Sequence, residues 1–270
     1  MSISTFSGKV AAITGAGSGM GEALAISLSQ QGCAVAIADV DADKLEQTAN
    51  QISGVEVSKH LVDVADRVQV EQFAADVVAH HGRVNMIFNN AGVSVTDTVS
   101  HMSYENFEWL MDINFWGVVY GSKAFLPYLE QVSEAQIINT ASIFGVIAVP
   151  TQAAYNASKF AVRGFTYAMR EELIETNIGV SCVQPGGVKT NIAQASRYYP
   201  NDNTSASKDE FTARFEDMAK LTPAQAAELI LRGVLLNKAQ ILVGRDAKVV
   251  ATIERVMPVS YLKLLRSLWS

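Results

Sequence analysis

The chain has 270 residues, 49% hydrophobic and 18% charged, enough to bury a full core and with no low-complexity tract. A net charge of −6 argues against a nucleic-acid partner, which would want a basic face. The four histidines and two cysteines have no metal-ligand spacing, no apolar run is long enough to cross a bilayer, and no secretory signal is evident, so the expectation is a cytoplasmic protein without a metal site.

Short β-branched runs alternate with longer helical stretches, the pattern of a parallel sheet covered on both faces. Residues 10–14 (Val-Ala-Ala-Ile-Thr) predict a buried strand, and a glycine turn leads into a helix over 19–31. A strand over 34–38 ends at Asp39, followed by a helix over 41–52 and a strand over 56–61. Residues 66–81 read as a helix with Val70, Phe73, Ala74, Val77 and Val78 on one face, ending at His80 and His81 before Gly82. A strand at 86–88 runs into Asn89-Asn90-Ala91-Gly92. One long helix (103–128), a strand (136–140), a helix (152–176) and a strand (178–183) follow.

Residues 189–220 break the rhythm and are polar around 199–208; a long excursion of this kind reads as a lid, taken here as 189–222. Thr222 and Pro223 open another helix as N-cap and first residue, and 240–243 make a seventh strand. The tail divides at Pro258 into two apolar stripes: Val249, Val250, Ile253, Val256 and Met257, then Tyr261, Leu264, Leu265 and Leu268. With Lys263 and Arg266 alongside, it could pack on a neighbouring subunit, cover the active site or rest on a membrane surface, packing being preferred. Cys33 and Cys182 read as buried free thiols. Asn156 and Asn203 begin N-x-S sequons. No repeat or linker divides the chain, so one domain over 1–270 is expected, with a helical tail over 245–270.

Thr14-Gly15-Ala16-Gly17-Ser18-Gly19-Met20-Gly21 joins the first strand to the first helix. A dinucleotide pyrophosphate needs backbone N–H donors at a helix N-terminus and no Cβ where the chain approaches it. Gly15, Gly19 and Gly21 meet that demand in the right strand-turn-helix context. Asp39, about 20 residues beyond the turn, can hold the adenosine ribose hydroxyls and would repel a 2′-phosphate. No Arg or Lys follows before Lys44, so NAD is favoured over NADP. A plain strand-end turn residue is the other reading of Asp39.

In chain order, Gly15-x-x-x-Gly19-x-Gly21, Asp63-Val64, Asn89-Asn90-Ala91-Gly92, Asn114, Ser142, Tyr155-x-x-x-Lys159 and Pro185-Gly186-Gly187-Val188-Lys189-Thr190 resemble the compact branch of the short-chain dehydrogenase/reductase family, from Gly8 to about Gly244. The resemblance implies an α/β, Rossmann-type doubly wound, seven-stranded parallel sheet flanked by helices. It implies that Asp63 and Val64 hold the adenine, that the 185–190 segment meets the nicotinamide carboxamide, and that Lys159 binds the nicotinamide ribose. It also implies that Asn114 holds a water in a proton relay from Lys159. The expected cofactor-binding set is Gly15, Ser18, Gly19, Met20, Asp39, Asp63, Val64, Asn90, Ala91, Gly92, Tyr155, Lys159, Pro185, Gly186, Val188 and Thr190.

Moving a hydride off an alcohol needs a group that takes the hydroxyl proton. A free tyrosine, pKa about 10, is a poor base at neutral pH, but nearby positive charge favours its phenolate. Lys159 is one helical turn from Tyr155, so both leave one face. Tyr155 therefore reads as the acid/base and Lys159 as its electrostatic tuner. Ser142 can steady charge on the substrate oxygen; standing alone it would read as a turn serine before Gly145. Asn114 needs partners in its apolar helix, as a relay residue or as a structural kink or cap.

Ser94, Phe144 and Gly187 join Ser142 and Tyr155 on the substrate side. With Val95, Ile143 and Val149 they make a mostly apolar wall, which suits a neutral, fairly hydrophobic secondary alcohol or ketone. Arg197 in the lid leaves a carboxylate anchor open. The helices around 107–125 and 160–173 carry surplus apolar residues, and the resemblance implies that they pair subunits into a homodimer or homotetramer. Two rival readings are a noncatalytic NAD-binding regulator and an NADP-dependent carbonyl reductase. The intact set Asn114, Ser142, Tyr155 and Lys159 speaks against the regulator.

Overall fold

A computed structural model describes residues 3–199 and 207–263. Along the chain run β1 (Val10–Thr14), α1 (Gly19–Gln30), β2 (Ala34–Asp39), α2 (Ala42–Ala49), β3 (Val57–Leu61), α3 (Arg67–His81) and β4 (Met86–Asn89). Then come β5 (Val95–Thr96), α4 (Tyr104–Met111), α5 (Gly117–Leu129), β6 (Ala135–Thr140), α6 (Ala153–Glu172) and β7 (Ile178–Pro185). The last elements are β8 (Arg197–Tyr198), α7 (Lys208–Met218), α8 (Pro223–Leu235), β9 (Gln240–Val243) and α9 (Arg245–Val256).

Seven strands form one parallel sheet in the order β3-β2-β1-β4-β6-β7-β9. The chain steps outward from β1 to β3, then returns to lay β4 on the other side of β1. In open α/β sheets such a reversal leaves a ligand-binding crevice at the strands' carboxyl ends. Strand side chains alternate between faces. Ala11 and Ile13 of β1 meet Leu24 and Leu28 of α1 and Ile230 and Val234 of α8. Val10 and Ala12 meet Phe73 and Val77 of α3, Phe125 and Leu129 of α5 and Met169 of α6. Phe73 and Phe125 touch edge to face at 5.3 Å, and burying each ring contributes about 2–3 kcal/mol.

Local chemistry sets the helix ends. Asp66 accepts the N–H groups of Val68 and Gln69 at the start of α3, and Gly82, at φ 73°, stops it directly after His81. Thr222 and Gln225 form a reciprocal capping box with Pro223 inside α8. Cys33 and Cys182 are buried free thiols.

Three expectations change. The single helix over 103–128 is two helices joined by a π-turn, Asp112–Trp116, which carries Asn114 inward. The 189–222 segment is partly regular: β8 pairs with β5 in a small separate sheet, and Ser207 caps α7 with Glu210. The first tail stripe divides, because Val250 and Ile253 pack inward with Ala247 while Val249, Val256 and Met257 are exposed. Of the second stripe, Tyr261 is buried, and Leu264, Leu265 and Leu268 lie outside the described residues. Among the described residues no helix is long and apolar enough to cross a membrane.

Candidate active site

The turn after β1 and the segment after β4 lie side by side at the crevice. Gly15, at φ 65°, runs so close to Ala91 that a Cβ would stand 2.8 Å from the Ala91 Cα. Gly21 admits no side chain, since its Cβ would meet the Gly15 carbonyl oxygen at 2.0 Å. Thr14 Oγ1 accepts the N–H groups of Asn90 (3.0 Å) and Ala91 (3.1 Å) and so fixes the two segments together. Asn90 Nδ2 donates to the Thr14 carbonyl, while its buried Oδ1 makes no hydrogen bond. Ser18 precedes α1 without a side-chain capping bond, which leaves first-turn N–H groups for an anion.

Asp39 ends β2 beside this turn. Its carboxylate accepts the Gly17 N–H (2.9 Å) and the Asp41 N–H (3.2 Å). The Lys44 ammonium is turned to Asp41, at 3.0 Å. Thr190 stands over Gly19, where a Cβ would be 3.2 Å from its methyl; Pro185 ends β7, Gly186 lies against Asp246 and Val188 is in the core. Val64 is buried against Gly117, and Asp63 is exposed with Oδ1 accepting the Ala65 N–H. A glycine cradle, an uncapped helix start, an unmet buried acceptor and a terminal carboxylate together fit a dinucleotide.

Tyr155 and Lys159 leave the same face of α6, with the Lys159 ammonium 5.6 Å from the phenol ring centroid. Lys159 is 2% exposed and donates to the Thr140 carbonyl at 3.0 Å. Burial pulls its pKa down to about 8. Burial also pushes the Tyr155 phenol up to about 12, and a hydrogen bond from Ser142 works against that shift. The protein groups alone therefore do not make this phenol easy to ionise, because desolvation exceeds the nearby charge.

Ser142 Oγ accepts the Phe144 N–H at 3.1 Å and caps the short turn Ile143–Gly145. Its hydroxyl also bonds Tyr155, so the turn serine and the candidate catalytic serine are one arrangement. Asn114 is fully buried. Its Oδ1 accepts the Val93 N–H (2.8 Å), and Nδ2 donates to the Val93 carbonyl (2.9 Å) and to Ser158 Oγ (3.3 Å). A Cβ on Gly92 would stand 3.3 Å from Asn114 Oδ1 and 3.4 Å from Lys159 Nζ, so both flank one small space.

On the substrate side Phe144 meets the Tyr155 ring edge-on, centroids 6.0 Å apart. Ser94 donates to Gln152, and Gly187 lies against Ala219 beneath the end of α7. One expected wall residue moves, since Val95 is in the core with Leu110 and Ala154; Arg197, left open as an anchor, stacks 3.5 Å over Trp109 and donates to Asn106. The described tail covers the active-site loop of its own chain. Ala247 and Tyr261 pack on Ile143, Val146 and Ile147, and the Tyr261 hydroxyl accepts the Ala148 N–H at 3.1 Å.

Sequence reasoning missed two residues here. Asn156, inside Tyr155-x-x-x-Lys159, donates to the carbonyls of Phe144 and Ile147 (2.7 Å each) and accepts the Val149 N–H (3.0 Å). It thereby staples the loop after Ser142 to the helix bearing Tyr155. The signal was an asparagine in a helix interior, where it is a poor helix former. Its buried amide is committed to these bonds, and Asn203 lies outside the described residues. Asp246 accepts the Gly187 N–H at 2.6 Å and crowds Gly186, tying α9 to the 185–190 segment across 59 residues. A cavity of about 180 Å³ lined by Arg170, Gly179 and Asn237 lies at the other end of β7 and holds none of these groups.

Comparison with known proteins bears on the family and the fold. Residues 9–200 match the short chain dehydrogenase family. SadH of Mycobacterium tuberculosis, named as an oxidoreductase, is 42% identical over 267 residues, covering 97% of this chain and 96% of that protein. A short-chain dehydrogenase/reductase from Burkholderia phymatum, solved in complex with NAD, superposes with a TM-score of 0.87 at 30% identity, over 94% of this chain and 95% of that one. An alcohol dehydrogenase from Thermococcus sibiricus, complexed with 5-hydroxy-NADP, gives 0.73 at 28% identity over 87% and 95%. The chain belongs to the short-chain dehydrogenase/reductase family of oxidoreductases.

Proposed function

We propose that this chain is an NAD-dependent oxidoreductase acting on CH–OH donors, interconverting a neutral, fairly hydrophobic secondary alcohol and its ketone. The reading treats the chain as one catalytic domain with residues 189–222 as a lid. The observation that carries it is the grouping of the partly buried Tyr155 with the buried Ser142 and Lys159 beside the Gly15–Gly21 cradle. A bound nicotinamide cofactor supplies the hydride acceptor and a positively charged ring.

In the oxidation, Tyr155 Oη takes the carbinol proton as the carbinol carbon gives up its hydride. Ser142 donates its hydroxyl hydrogen to the substrate oxygen and steadies the charge that develops there. Lys159 stabilises the phenolate, but burial holds the phenol at about 12, so Lys159 alone is not enough. The positive ring of a bound oxidised cofactor would add to the Lys159 charge in favouring the phenolate. Asn114, fixed on Val93 and Ser158, orients the space beside Lys159 where a relay water would stand. Phe144, Val149 and the tail side chains on that loop support an apolar substrate.

Asp39 supports NAD. Its carboxylate faces the glycine turn, and the nearest following lysine, Lys44, is engaged by Asp41. The relatives include both an NAD and an NADP-type complex, so the preference rests on this chain's own residues. Exposed Tyr104, Phe107, Trp116 and Phe160 on α4, the π-turn and α6 support a homodimer or homotetramer.

The test is a panel of secondary alcohols and ketones with both cofactors, followed at the nicotinamide absorbance. Turnover with NAD is expected, with Tyr155→Phe slower by on the order of 10³-fold while NAD still binds. Asp39→Ala should move the preference toward NADP by on the order of 10-fold. Tight NAD binding with no turnover across the panel would support the regulator instead, and an unchanged cofactor ratio in Asp39→Ala the NADP enzyme.

A further inference from the structure

Three of the four histidines, which looked unrelated to a ligand site in the sequence, converge at the end of the sheet away from Tyr155. Glu56, just before the edge strand β3, sets Oε1 3.1 Å from His80 Nε2 and Oε2 3.3 Å from His81 Nδ1. One ligand atom from each of the three residues falls within 4.8 Å of the others. The His81 side chain is fully buried, and its Nδ1 makes no hydrogen bond although it faces the carboxylate. Its other nitrogen, Nε2, is held by Ser58 Oγ at 2.9 Å, and that hydroxyl also meets His60 Nε2 at 2.8 Å.

We propose that Glu56, His80 and His81 bind one divalent transition-metal ion of the zinc class, with His81 Nδ1, His80 Nε2 and the Glu56 carboxylate as ligands and water completing the shell. Metal–ligand bonds of about 2.0–2.1 Å in tetrahedral geometry put neighbouring ligand atoms about 3.3 Å apart. Each histidine nitrogen lies at about that spacing from one oxygen of the Glu56 carboxylate, and one ligand atom from each of the three residues lies within 4.8 Å of the others, so small side-chain rotations would close the shell. Two imidazoles and one carboxylate select zinc, nickel or copper over magnesium or calcium. The Ser58–His81 contact is the outer partner that typically fixes the ring of a ligating histidine.

The ligands sit on fixed elements. The Glu56 carbonyl accepts the Val35 N–H at 3.0 Å, and His80 and His81 form the last turn of α3 before Gly82. The carbonyl end of a helix favours positive charge. A bound ion would clamp the edge strand β3 to the end of α3, so its role is structural and independent of the reaction proposed above.

The test titrates zinc chloride into the tag-free, metal-stripped full chain by calorimetry, with metal content measured after desalting. Wild type should retain one zinc per chain with micromolar or tighter affinity. Glu56→Gln and His80→Asn should each bind at least about tenfold more weakly. His101→Asn, a histidine outside the cluster, should bind like wild type. Zinc should raise the melting temperature of wild type and His101→Asn but not of Glu56→Gln or His80→Asn, and magnesium should raise none of them. His80 is half exposed, so the His80→Asn chain is expected to fold, as circular dichroism would verify. Binding far below one zinc per chain, equal binding in Glu56→Gln and His80→Asn, or an equal response to magnesium overturns the proposal.

Discussion

The two ends of the parallel sheet treat their polar groups differently. Where the strands begin, charge is matched: Glu134, before β6, takes Lys9 at 2.9 Å and the Ser4 hydroxyl at 2.8 Å, and these hold its carboxyl down to about 2. Arg170 in the same region donates to Val180 and to both the side chain and the carbonyl of Asn237. Where the strands end, Lys159 has a backbone carbonyl and, among the described residues, no carboxylate in ion-pair range. Tyr155 and Lys159 are both pushed toward their neutral forms, and Asn90 keeps an acceptor with no partner. His81 Nδ1 and Gln136 Oε1 apart, the groups where the strands begin find partners, whereas the other end gathers a phenol, an amine and an unmet amide oxygen in one crevice, as functional sites do.

The contrast is broken most easily at Lys159. Lys159→Met should lower turnover by on the order of 10³-fold while raising stability at pH 7. Burial displaces the pKa from 10.5 to about 8, so below pH 8 the buried ammonium carries a cost of roughly 3 kcal/mol. Losing the bond to Thr140 takes back about 1 kcal/mol. The gain should shrink as pH rises from about 8 to 10.5, where the unfolded chain loses the proton too. Thermal melts of both proteins at pH 7 and pH 10 check this, and a destabilised variant at pH 7 would remove the argument that the catalytic end is costly.

Asn156→Ala sharpens the comparison from the structural side. Three hydrogen bonds, one buried and two partly buried, are lost, so a cost of about 2–3 kcal/mol in denaturant unfolding is expected. A fall in kcat should accompany it, because the loop carrying Ser142 loosens; unchanged kcat would mean that the staple serves stability alone. The smallest effect belongs to the opposite end. Glu134 has a depressed pKa, so its contribution is full above about 4.5 and fades as pH falls toward 2. Its side chain is 21% exposed, and solvent screening keeps that contribution under about 1 kcal/mol. Glu134→Gln should therefore melt slightly lower than wild type at pH 7 and match it near pH 2.

Most of the sheet was legible because a strand buried on both faces announces itself, as Val10-Ala-Ala-Ile-Thr does in β1. The candidate site was legible where spacing alone makes neighbours: Tyr155 with Lys159 on one helix face, or the glycines of one turn. Arg197, whose charge left a carboxylate anchor open, is given Trp109 and Asn106 by the fold, about 90 residues away in sequence. The tail stripe was misread for a related reason, since helical periodicity marks a face without saying how much of it is covered.

The sequence by itself determined the order of strands and helices, the glycine turn and the helix that pairs a phenol with an amine, because each depends on a few residues close in the chain. Only the tertiary structure decided that Asn156 braces the Ser142 loop, that Asp246 holds Gly187, and that Glu56 meets His80 and His81. Apart from the Asn156 staple, these partners lie 24 to 59 residues apart, and which of them touch depends on the register of the packed elements, which local pattern does not encode.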